Sequence, residues 1–293
     1  MYIPDFNYHK PKSLLEALSI LKECEKGILI AGGTDLLVEI KKGVRKVTDL
    51  ITLSGVSELL EIDNNDDFIK IGSSLTHNDV MNSNIIKSEL PALAEACSKV
   101  GSHQIRNSAT IGGNICTGAS CADTAPILLA YEASVQLTSM DSERLVPLKD
   151  FIINHHVTTI RSDEIMTGII INKSKHRTVA CFEKFGLREA ASISVASSSS
   201  VIRFDSENCI SANIVVGACG PIPIISENAG SFLSGKSLKE LIASDDFLVR
   251  AGELASNDSK PISDIRGTAD YRRHLVKILT VAAIRKSLNQ IAN

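Results

Sequence analysis

The stretch ATIGGNICTGASCAD, residues 109–123, joins two adjacent glycines to small hydroxyl side chains, one amide and one carboxylate. We call it the second glycine stretch. Side chains this small let the backbone approach a ligand closely, and successive N–H groups that face one concavity bind an anion. The apolar spacing that follows predicts a helix over residues 124–133, with Asp123 at its start and Pro126 in its first turn. The sequence therefore predicts an anion-binding loop that leads into a helix.

A shorter stretch of the same kind, AGGTD at residues 31–35, lies upstream and is called the first glycine stretch. It follows an apolar run at 28–31 that suits a buried strand, and it precedes a short helix predicted over 36–42. A glycine turn between a strand and a helix holds phosphate on backbone donors. We expect Asp35 to cap that helix, because its charge would repel a phosphate. Two such loops favour a dinucleotide whose pyrophosphate both loops hold, although neither fits the G-x-G-x-x-G pattern of a Rossmann site.

The bulk properties of the chain exclude several classes of protein. Its 293 residues suit about two domains, with 44% hydrophobic and 22% charged residues as in an ordinary globular protein. The net charge of −3 predicts neither a nucleic-acid partner nor a membrane-surface partner. No apolar run approaches the roughly 18 residues of a membrane span, and no export signal is visible. Seven scattered cysteines fit a reducing compartment, so we expect a cytoplasmic protein.

The order of predicted elements indicates two domains with a boundary near residue 176. Helices are predicted over 13–24, 36–42, 77–82, 90–100 and 124–133, and strands over 28–31, 47–53, 68–72, 134–138, 144–148 and 164–171. This alternation is typical of an α/β arrangement. Three antiparallel strands then follow at 178–185, 193–204 and 210–218, and helices at 237–255 and 269–289 close the chain. We expect a first domain over 1–176, with subdomains of about 1–56 and 57–176, and a second domain over 177–293.

Several candidate sites allow more than one interpretation. Cys116 and Cys121 have no second cysteine pair, so we favour small residues in a crowded loop over metal ligands. The segment GSFLSGKS at 230–237 matches the P-loop pattern, but a helix predicted over 227–233 places its first glycine inside a helix, which disfavours an NTPase. The histidine pair at 155–156 shows no metal or triad spacing and is assigned to surface or packing roles.

The charged residues near the expected ligand site also allow more than one role. Asp123 either caps its helix or accepts a hydrogen bond from a ribose or an adenine. Lys184 and Arg188 are solvated charges by spacing alone, although a reduced, negatively charged flavin would give them a role. No residue is expected to be catalytic and none to bind a metal, because the chain shows no general acid–base pair and no ligand set.

The glycine stretches and their flanks carry a family resemblance. The segments are ILIAGGTDL (28–36), QIRNSATIGGNIC (104–116), ADTAP (122–126), PKSLLEAL (11–18), KFGLR (184–188) and YRRHL (271–275). Together they resemble the FAD-binding subunits of the molybdenum hydroxylase family, and within it those of bacterial xanthine dehydrogenases. The resemblance covers nearly the whole chain.

The resemblance implies an α+β fold. Its FAD-binding domain has two α/β subdomains of the vanillyl-alcohol-oxidase type, followed by a smaller α+β domain of the CO dehydrogenase flavoprotein type, with an antiparallel sheet and helices. It implies non-covalent FAD that receives electrons from iron–sulfur clusters and passes a hydride to NAD. Those clusters and the molybdenum cofactor belong to partner subunits of a hetero-oligomer, since the cysteines here cannot supply an extra iron–sulfur loop. Alternatives are the FAD subunit of a nicotinate, other purine or carbon monoxide hydroxylase, and a stand-alone flavin oxidase.

The residues expected to bind FAD combine the two glycine stretches with positions that the resemblance adds, of which Ile165 and Lys184 match flavin contacts. They are Ile28, Leu29, Ile30, Ala31, Gly32, Gly33, Thr34, Asp35, Leu36, Val100, Ala109, Thr110, Ile111, Gly112, Gly113, Asn114, Cys116, Thr117, Asp123, Ile165 and Lys184.

Overall fold

The computed structural model of the protein describes residues 3–243 and 245–292. Its strands are β1 (Asn7–His9), β2 (Gly27–Ile30), β3 (Asp49–Thr52), β4 (Ile62–Asn64), β5 (Phe68–Gly72), β6 (Ser134–Thr138), β7 (Glu143–Pro147), β8 (Ile152–Asn154), β9 (Val157–Thr158), β10 (Ile165–Asn172), β11 (Arg177–Gly186), β12 (Ser194–Asp205), β13 (Asn208–Gly217) and β14 (Ile224–Ile225). Its α-helices are α1 (Leu14–Glu23), α2 (Leu36–Lys41), α3 (His77–Asn82), α4 (Asn84–Glu89), α5 (Pro91–Ser98), α6 (His103–Arg106), α7 (Ile111–Thr117), α8 (Thr124–Ala130), α9 (Leu148–Phe151), α10 (Glu227–Leu233), α11 (Leu238–Ala243), α12 (Asp245–Asp258) and α13 (Ala269–Ala292). A short 3₁₀ helix covers Ser57–Leu59.

The first sheet is parallel throughout, with strand order β1-β3-β2. Helix α1 packs on it through Ala17, Leu18 and Leu21, which share one apolar core with Ile51 of β3. Leu21 lies three residues after Leu18 and four after Ala17, which is the spacing of one helix face. The sheet places the end of β2 directly before the first glycine stretch.

The second sheet is antiparallel throughout, with strand order β4-β5-β10-β6-β7. Helices α5, α7 and α8 bury their apolar sides in the core beneath it. The helix predicted over 77–82 is confirmed as α3, because Thr76 and Asp79 cap each other's backbone N–H groups. This layer supports the second glycine stretch.

The third sheet is the antiparallel sheet expected in the last part of the chain, with order β11-β12-β13-β14. Helices α10, α12 and α13 cover one of its faces. Two buried hydroxyl pairs join the sheet to α13, Ser198 with Thr280 at 2.9 Å and Ser200 with Ser287 at 2.7 Å between their oxygens. The α+β fold class is confirmed, and the domain boundary near residue 176, which falls between β10 and β11, stays a prediction.

Three predicted elements differ from the structure. The second glycine stretch is not a loop, because its residues 111–117 form helix α7. The helix predicted over 124–133 ends at Ala130, where Tyr131 closes the last turn and Glu132 adopts a positive φ of 60°. The helix predicted over 237–255 is replaced by α11 and α12.

The segment that matches the P-loop pattern, residues 230–237, lies at the end of helix α10. Helix α10 covers Glu227–Leu233 as predicted, and Gly235 follows it with φ 80°. Gly230 lies inside the helix, where an added Cβ would come within 2.3 Å of the carbonyl oxygen of Ala212 on β13. This glycine therefore serves helix–sheet packing. No helix in the described ranges has the length and apolar character needed to cross a bilayer.

Candidate functional site

The first glycine stretch and the second glycine stretch border one cavity of about 520 Å³. Strand β2 and residues 31–36 form one wall, and α7 with the residues up to Asp123 forms another. The loops at 100–105 and 191–193 complete the lining. The volume lies within the usual range for a small-molecule site.

The first glycine stretch presents unused backbone donors to this cavity. Within the described residues, no hydrogen bond uses the N–H groups of residues 32–35. Gly33 has φ 70°, a left-handed conformation that costs other residues about 1–2 kcal/mol. It turns the chain so that consecutive N–H groups stay free of carbonyl partners. Such a row of donors binds an anion.

Asp35 does not cap helix α2, contrary to the expectation. It stands at the N-cap position, but its side chain makes no capping hydrogen bond. Its backbone is helical, with φ −97° and ψ −50°, whereas a capping side chain needs an extended N-cap residue. Asp35 thus remains an exposed carboxylate at the rim of the cavity.

The two stretches meet through their backbones at Gly32. An added Cβ there would lie 1.9 Å from the carbonyl oxygen of Ser108 and 2.8 Å from Cα of Ala109. Atoms cannot approach this closely, so any side chain at Gly32 would force the two segments apart. The glycine therefore permits the contact that closes this side of the cavity.

The second glycine stretch uses its N–H groups inside the protein. Gly113 N–H donates to the side-chain oxygen of Thr110, the N-cap of α7, at 3.1 Å. The N–H groups of Ile111 and Gly112 donate to the carbonyls of Leu75 and Ser73, both at 2.9 Å, and that of Asn114 to the Thr110 carbonyl at 3.0 Å. The expectation that successive N–H groups here bind an anion is wrong for residues 111–114.

Side chains of α7 face the cavity instead. The Asn114 side-chain oxygen accepts a hydrogen bond from the Thr124 hydroxyl at 2.6 Å, which fixes the orientation of the amide. Its Nδ2 has no partner among the described residues, so it can donate to a ligand. Thr117 donates its hydroxyl proton to the Gly113 carbonyl at 2.8 Å and still has lone pairs to offer.

Asp123 is held by a buried ion pair and not by its helix. It makes no capping hydrogen bond, so the helix-cap interpretation is wrong. One carboxylate oxygen lies 2.6 Å from Nζ of Lys184, and the other accepts from Ser194 Oγ at 2.5 Å. Burial raises the pKa of Asp123, while the ammonium and the hydroxyl oppose that rise. Lys184 also donates to the Lys99 carbonyl, so it is not a solvated charge.

The cavity offers little cationic charge of its own. Of its carboxylates, Glu39 is paired with Arg45 at 2.9 Å and Asp123 with Lys184. Asp35 makes no ion pair within the described part of the chain. An anionic ligand here is therefore stabilised by main-chain and side-chain amides.

Seventeen of the twenty-one predicted FAD-binding residues line the cavity: Ile28, Leu29, Ile30, Ala31, Gly32, Gly33, Thr34, Asp35, Leu36, Val100, Ala109, Thr110, Gly113, Asn114, Cys116, Thr117 and Asp123. The other four do not. Ile111 and Ile165 are fully buried in apolar cores, and Lys184 lies behind Asp123. Gly112 borders a neighbouring cavity.

That neighbouring cavity has about 320 Å³ and shares the wall formed by Ile28, Leu29 and Ala31. It also contains Ser73 and Ser74, whose buried hydroxyls have no hydrogen-bond partner in the described residues. Orphaned buried hydroxyls cost free energy unless a ligand or water satisfies them. The two cavities therefore suit a long ligand with polar groups at both ends.

Sequence reasoning missed part of the lining: Glu39, Arg45, Gly101, Ile105, Ala119, Cys121, Ala122, His156, Ala191, Ser192 and Ile193. His156 lies at the tip of the β8–β9 hairpin, where its N–H donates to the Gly118 carbonyl at 2.9 Å. Its Nδ1 lies 2.8 Å from the Thr117 carbonyl. No spacing in one sequence reveals this tertiary contact, although the histidine pair itself was visible.

Two cysteines, Cys116 and Cys121, line the cavity. Neither Cys116 nor Cys121 belongs to a cluster of metal-ligating side chains in the described residues. Burial raises the pKa of the Cys116 thiol to about 12, and the thiol packs 3.9 Å from the Met166 sulfur. Cys116 therefore stays a protonated, unreactive thiol at neutral pH.

Comparison with known proteins identifies the family. Residues 4–173 match the model for the FAD binding domain in molybdopterin dehydrogenase, and residues 180–287 match the CO dehydrogenase flavoprotein C-terminal domain. The chain is 28% identical to the xanthine dehydrogenase FAD-binding subunit of Escherichia coli O157:H7 over 96% of both chains. It is 32% identical to the nicotinate dehydrogenase FAD-subunit of Eubacterium barkeri over 80% of this chain and 81% of the relative.

A solved structure shares the whole fold. The carbon monoxide dehydrogenase from Hydrogenophaga pseudoflava, in a form that lacks the Mo-pyranopterin moiety of the molybdenum cofactor, matches with a TM-score of 0.90 and 28% identity over 98% of both chains. The first family model alone covers more than half of the sequence. The chain therefore belongs to the family of the FAD binding domain in molybdopterin dehydrogenase, as the FAD subunit of a molybdenum hydroxylase.

Proposed function

We propose that the larger cavity holds FAD through its diphosphate on the free N–H groups of residues 32–35. This row of unused donors is the observation that carries the proposal. The Asn114 amide adds one further donor from the opposite wall. Main-chain donors suit a diphosphate here because Arg45, whose side chain lines the cavity, is already paired with Glu39.

We propose that the cofactor is held without a covalent bond. A flavin attaches to a protein through a nucleophilic side chain, and burial raises the pKa of both thiols that line the cavity, Cys116 and Cys121. The ring of His156 is held against the Thr117 carbonyl. The unpartnered hydroxyls of Ser73 and Ser74 in the adjoining cavity can hydrogen-bond polar ring atoms of the flavin.

We further propose that this subunit accepts electrons from iron–sulfur clusters on one partner and delivers them as hydride to NAD. FAD supplies the redox chemistry when bound, and the residues described above bind it, orient it and exclude water. The names of the relatives, a xanthine dehydrogenase subunit and a carbon monoxide dehydrogenase medium chain, support a hetero-oligomer.

We propose xanthine or another purine as the substrate of the assembled complex, on the support of the xanthine dehydrogenase relative. Nicotinate is the second candidate, because the nicotinate dehydrogenase FAD-subunit shares 32% identity with this chain. We also propose a cytoplasmic location, since the seven cysteines are free thiols, as a reducing compartment favours.

Flavin titration of the purified full chain tests the cofactor site. We expect the wild-type chain to bind FAD and Gly32→Ala to bind it about 100-fold more weakly, because the added Cβ separates the two stretches. Gly235→Ala is the control, since its left-handed φ of 80° makes the substitution strain the backbone as well, but at a position outside the cavity. Equal affinities for wild type and Gly32→Ala would refute the assignment of the site.

Anaerobic mixing of the FAD-loaded chain with NADH tests the acceptor separately. We expect NADH to bleach the flavin absorbance, since hydride transfer is reversible, and we expect the isolated chain not to oxidise xanthine. Bleaching by dithionite but not by NADH would reject NAD and leave the FAD site standing. Xanthine oxidation by the isolated chain would reject the division of labour between subunits.

A further inference from the structure

Three metal-ligating side chains converge at the edge of the first sheet, outside both cavities. His9 ends β1, Cys24 directly follows α1, and Asp49 begins β3. Nε2 of His9 lies 3.0 Å from Oδ1 of Asp49 and 3.9 Å from Sγ of Cys24, and the three ligand atoms all lie within 4.8 Å of one another. Each side chain is half-buried, so solvent ions can reach the group.

The arrangement is not that of a catalytic relay. In a relay of cysteine, histidine and aspartate, the thiol and the carboxylate bind opposite ring nitrogens. Here both Cys24 and Asp49 face Nε2, and no hydrogen bond among the described residues uses Nδ1 of His9. The three ligand atoms thus surround one point in space, as ligands of a cation do.

We propose that His9, Cys24 and Asp49 bind Zn²⁺, with a water molecule as the fourth ligand. Tetrahedral zinc with ordinary bond lengths places such N, O and S atoms roughly 3.3–3.6 Å apart. The 3.0 Å and 3.9 Å separations observed bracket that range, so side-chain rotations suffice. The mixed set of thiolate, imidazole and carboxylate suits zinc better than the hard cations Mg²⁺ and Ca²⁺. On binding, the thiol proton leaves to solvent and His9 carries its proton on Nδ1.

The proposed zinc site joins the end of α1 to β1 and β3, and β3 pairs with β2, the strand that leads into the first glycine stretch. The N–H of Gly27, the first residue of β2, donates to the Cys24 carbonyl at 3.3 Å. Strand β2 continues into the lining of both cavities, whereas none of the three ligands lines either one. Zinc would therefore brace the first sheet without contacting FAD, and the proposal is independent of the cofactor assignment.

Cobalt titration of the chelator-treated full chain tests this site. We expect about one Co²⁺ per chain, with a sulfur-to-cobalt charge-transfer absorption that Zn²⁺ abolishes. Cys24→Ser should remove that absorption, and His9→Gln and Asp49→Asn should each weaken Zn²⁺ binding about tenfold or more. Cys181→Ser is the matched control, because Cys181 is also half-buried beside a carboxylate, that of Glu183, and belongs to no ligand cluster. Cobalt binding without the absorption, or an absorption that survives Cys24→Ser, would overturn the proposal.

Alkylation of the wild-type chain provides a test that needs no variant. We expect Zn²⁺ to slow the reaction of Cys24 with iodoacetamide about tenfold or more, because the metal-bound thiolate is shielded. Mass spectrometry of the cysteine-containing peptides measures this rate, with Cys181 as the internal reference. Equal alkylation rates of Cys24 with and without Zn²⁺ would overturn the site.

Discussion

The two glycine stretches are alike in sequence and different in structure. In the first, Gly33 adopts a left-handed conformation and the N–H groups of residues 32–35 have no partner in the described chain. In the second, the residues after Thr110 form a helix whose first N–H groups are all bonded. Adjacent glycines with small polar neighbours thus either leave their backbone donors free or serve as a packing contact.

The position of carbonyl groups decides between these outcomes. The carbonyls of Ser73 and Leu75 run beside the second stretch and accept its N–H groups. Position 112 has no room for a side chain, because an added Cβ would lie only 2.6 Å from the Ser73 carbonyl oxygen. The Ser108 carbonyl lies beside Gly32 of the first stretch, but no N–H of residues 32–35 donates to it or to any other described acceptor, so these donors remain available for a ligand.

The largest effect is expected where the second stretch ends, at the buried pair of Asp123 and Lys184. Lys184→Met should lower the free energy of unfolding by about 4 kcal/mol, because it leaves Asp123 buried without its cation. Urea unfolding measures this change. The double variant Asp123→Asn with Lys184→Met should recover most of the loss. Lys286→Met, which removes an exposed partner of Glu183, should cost less than about 1 kcal/mol.

An acid-dependent effect is expected where the second stretch begins. The N–H of His77 donates to the Ala109 carbonyl, and both ring nitrogens of His77 are buried without a partner in the described residues. Burial, and then the charge of Arg106, lowers the pKa of His77 from 6.5 to about 4. Between pH 6.5 and about 4, His77 is therefore protonated in the unfolded chain but neutral in the folded chain. The free energy of unfolding falls as the pH is lowered through this range.

His77→Leu should remove this acid sensitivity. The wild-type protein should lose about 3 kcal/mol more stability than the variant between the ordinary histidine pKa and the lowered one. Urea unfolding at a series of pH values measures the difference. Parallel curves for the two proteins would show that His77 does not titrate in this way.

A smaller effect on stability separates packing from binding within the second stretch. Gly112→Ala should lower the free energy of unfolding by about 2 kcal/mol, because its Cβ would press on the backbone of Ser73. Gly113→Ala is the matched comparison and should cost about 1 kcal/mol, since its Cβ would lie 2.9 Å from the side-chain oxygen of Thr110 and disturb only that helix cap. If Gly112→Ala keeps its stability but loses FAD affinity, as we expect for Gly32→Ala, the two glycine stretches do not differ in the way described above.

The smallest effect tests what the second stretch offers to the ligand. Asn114→Asp keeps an oxygen for the Thr124 hydroxyl but replaces the free NH₂ donor by a charged oxygen. We expect FAD affinity to fall about tenfold, or about 1.4 kcal/mol, with unchanged unfolding. Flavin fluorescence titration measures the affinity. An unchanged affinity would show that the Asn114 side-chain amide does not donate to FAD.

Local sequence signals predicted most of the elements because they act over a few residues. The helix over 77–82 was predicted, and the two residues that cap it in the structure, Thr76 and Asp79, are only three positions apart. Helix α7 was missed because two glycines and small side chains give it poor intrinsic helix propensity. Contacts with Ser73 and Leu75, about 40 residues earlier in the chain, stabilise it, and no local pattern reports them.

The site was predicted as a pair of chain segments but not as a set of contacts. Asp123 was recognised as a candidate, whereas its buried partners Lys184 and Ser194 lie more than 60 residues away. The lining residues 191–193 and His156 come from loops whose sequences carry no ligand-binding pattern. Their positions follow from how the three sheets pack together, which spacing along one chain does not encode.

The unpaired N–H groups of the first glycine stretch also allow cofactor occupancy to be measured by hydrogen exchange. Amide hydrogens without an acceptor exchange rapidly with deuterated solvent, while those inside a hydrogen-bonded helix exchange slowly. A peptide spanning residues 32–35 should therefore take up deuterium quickly in the empty chain and slowly after loading. One spanning α7 should stay protected in both states, so the ratio of the two labels reads out the loaded fraction without any spectroscopic signal from the flavin.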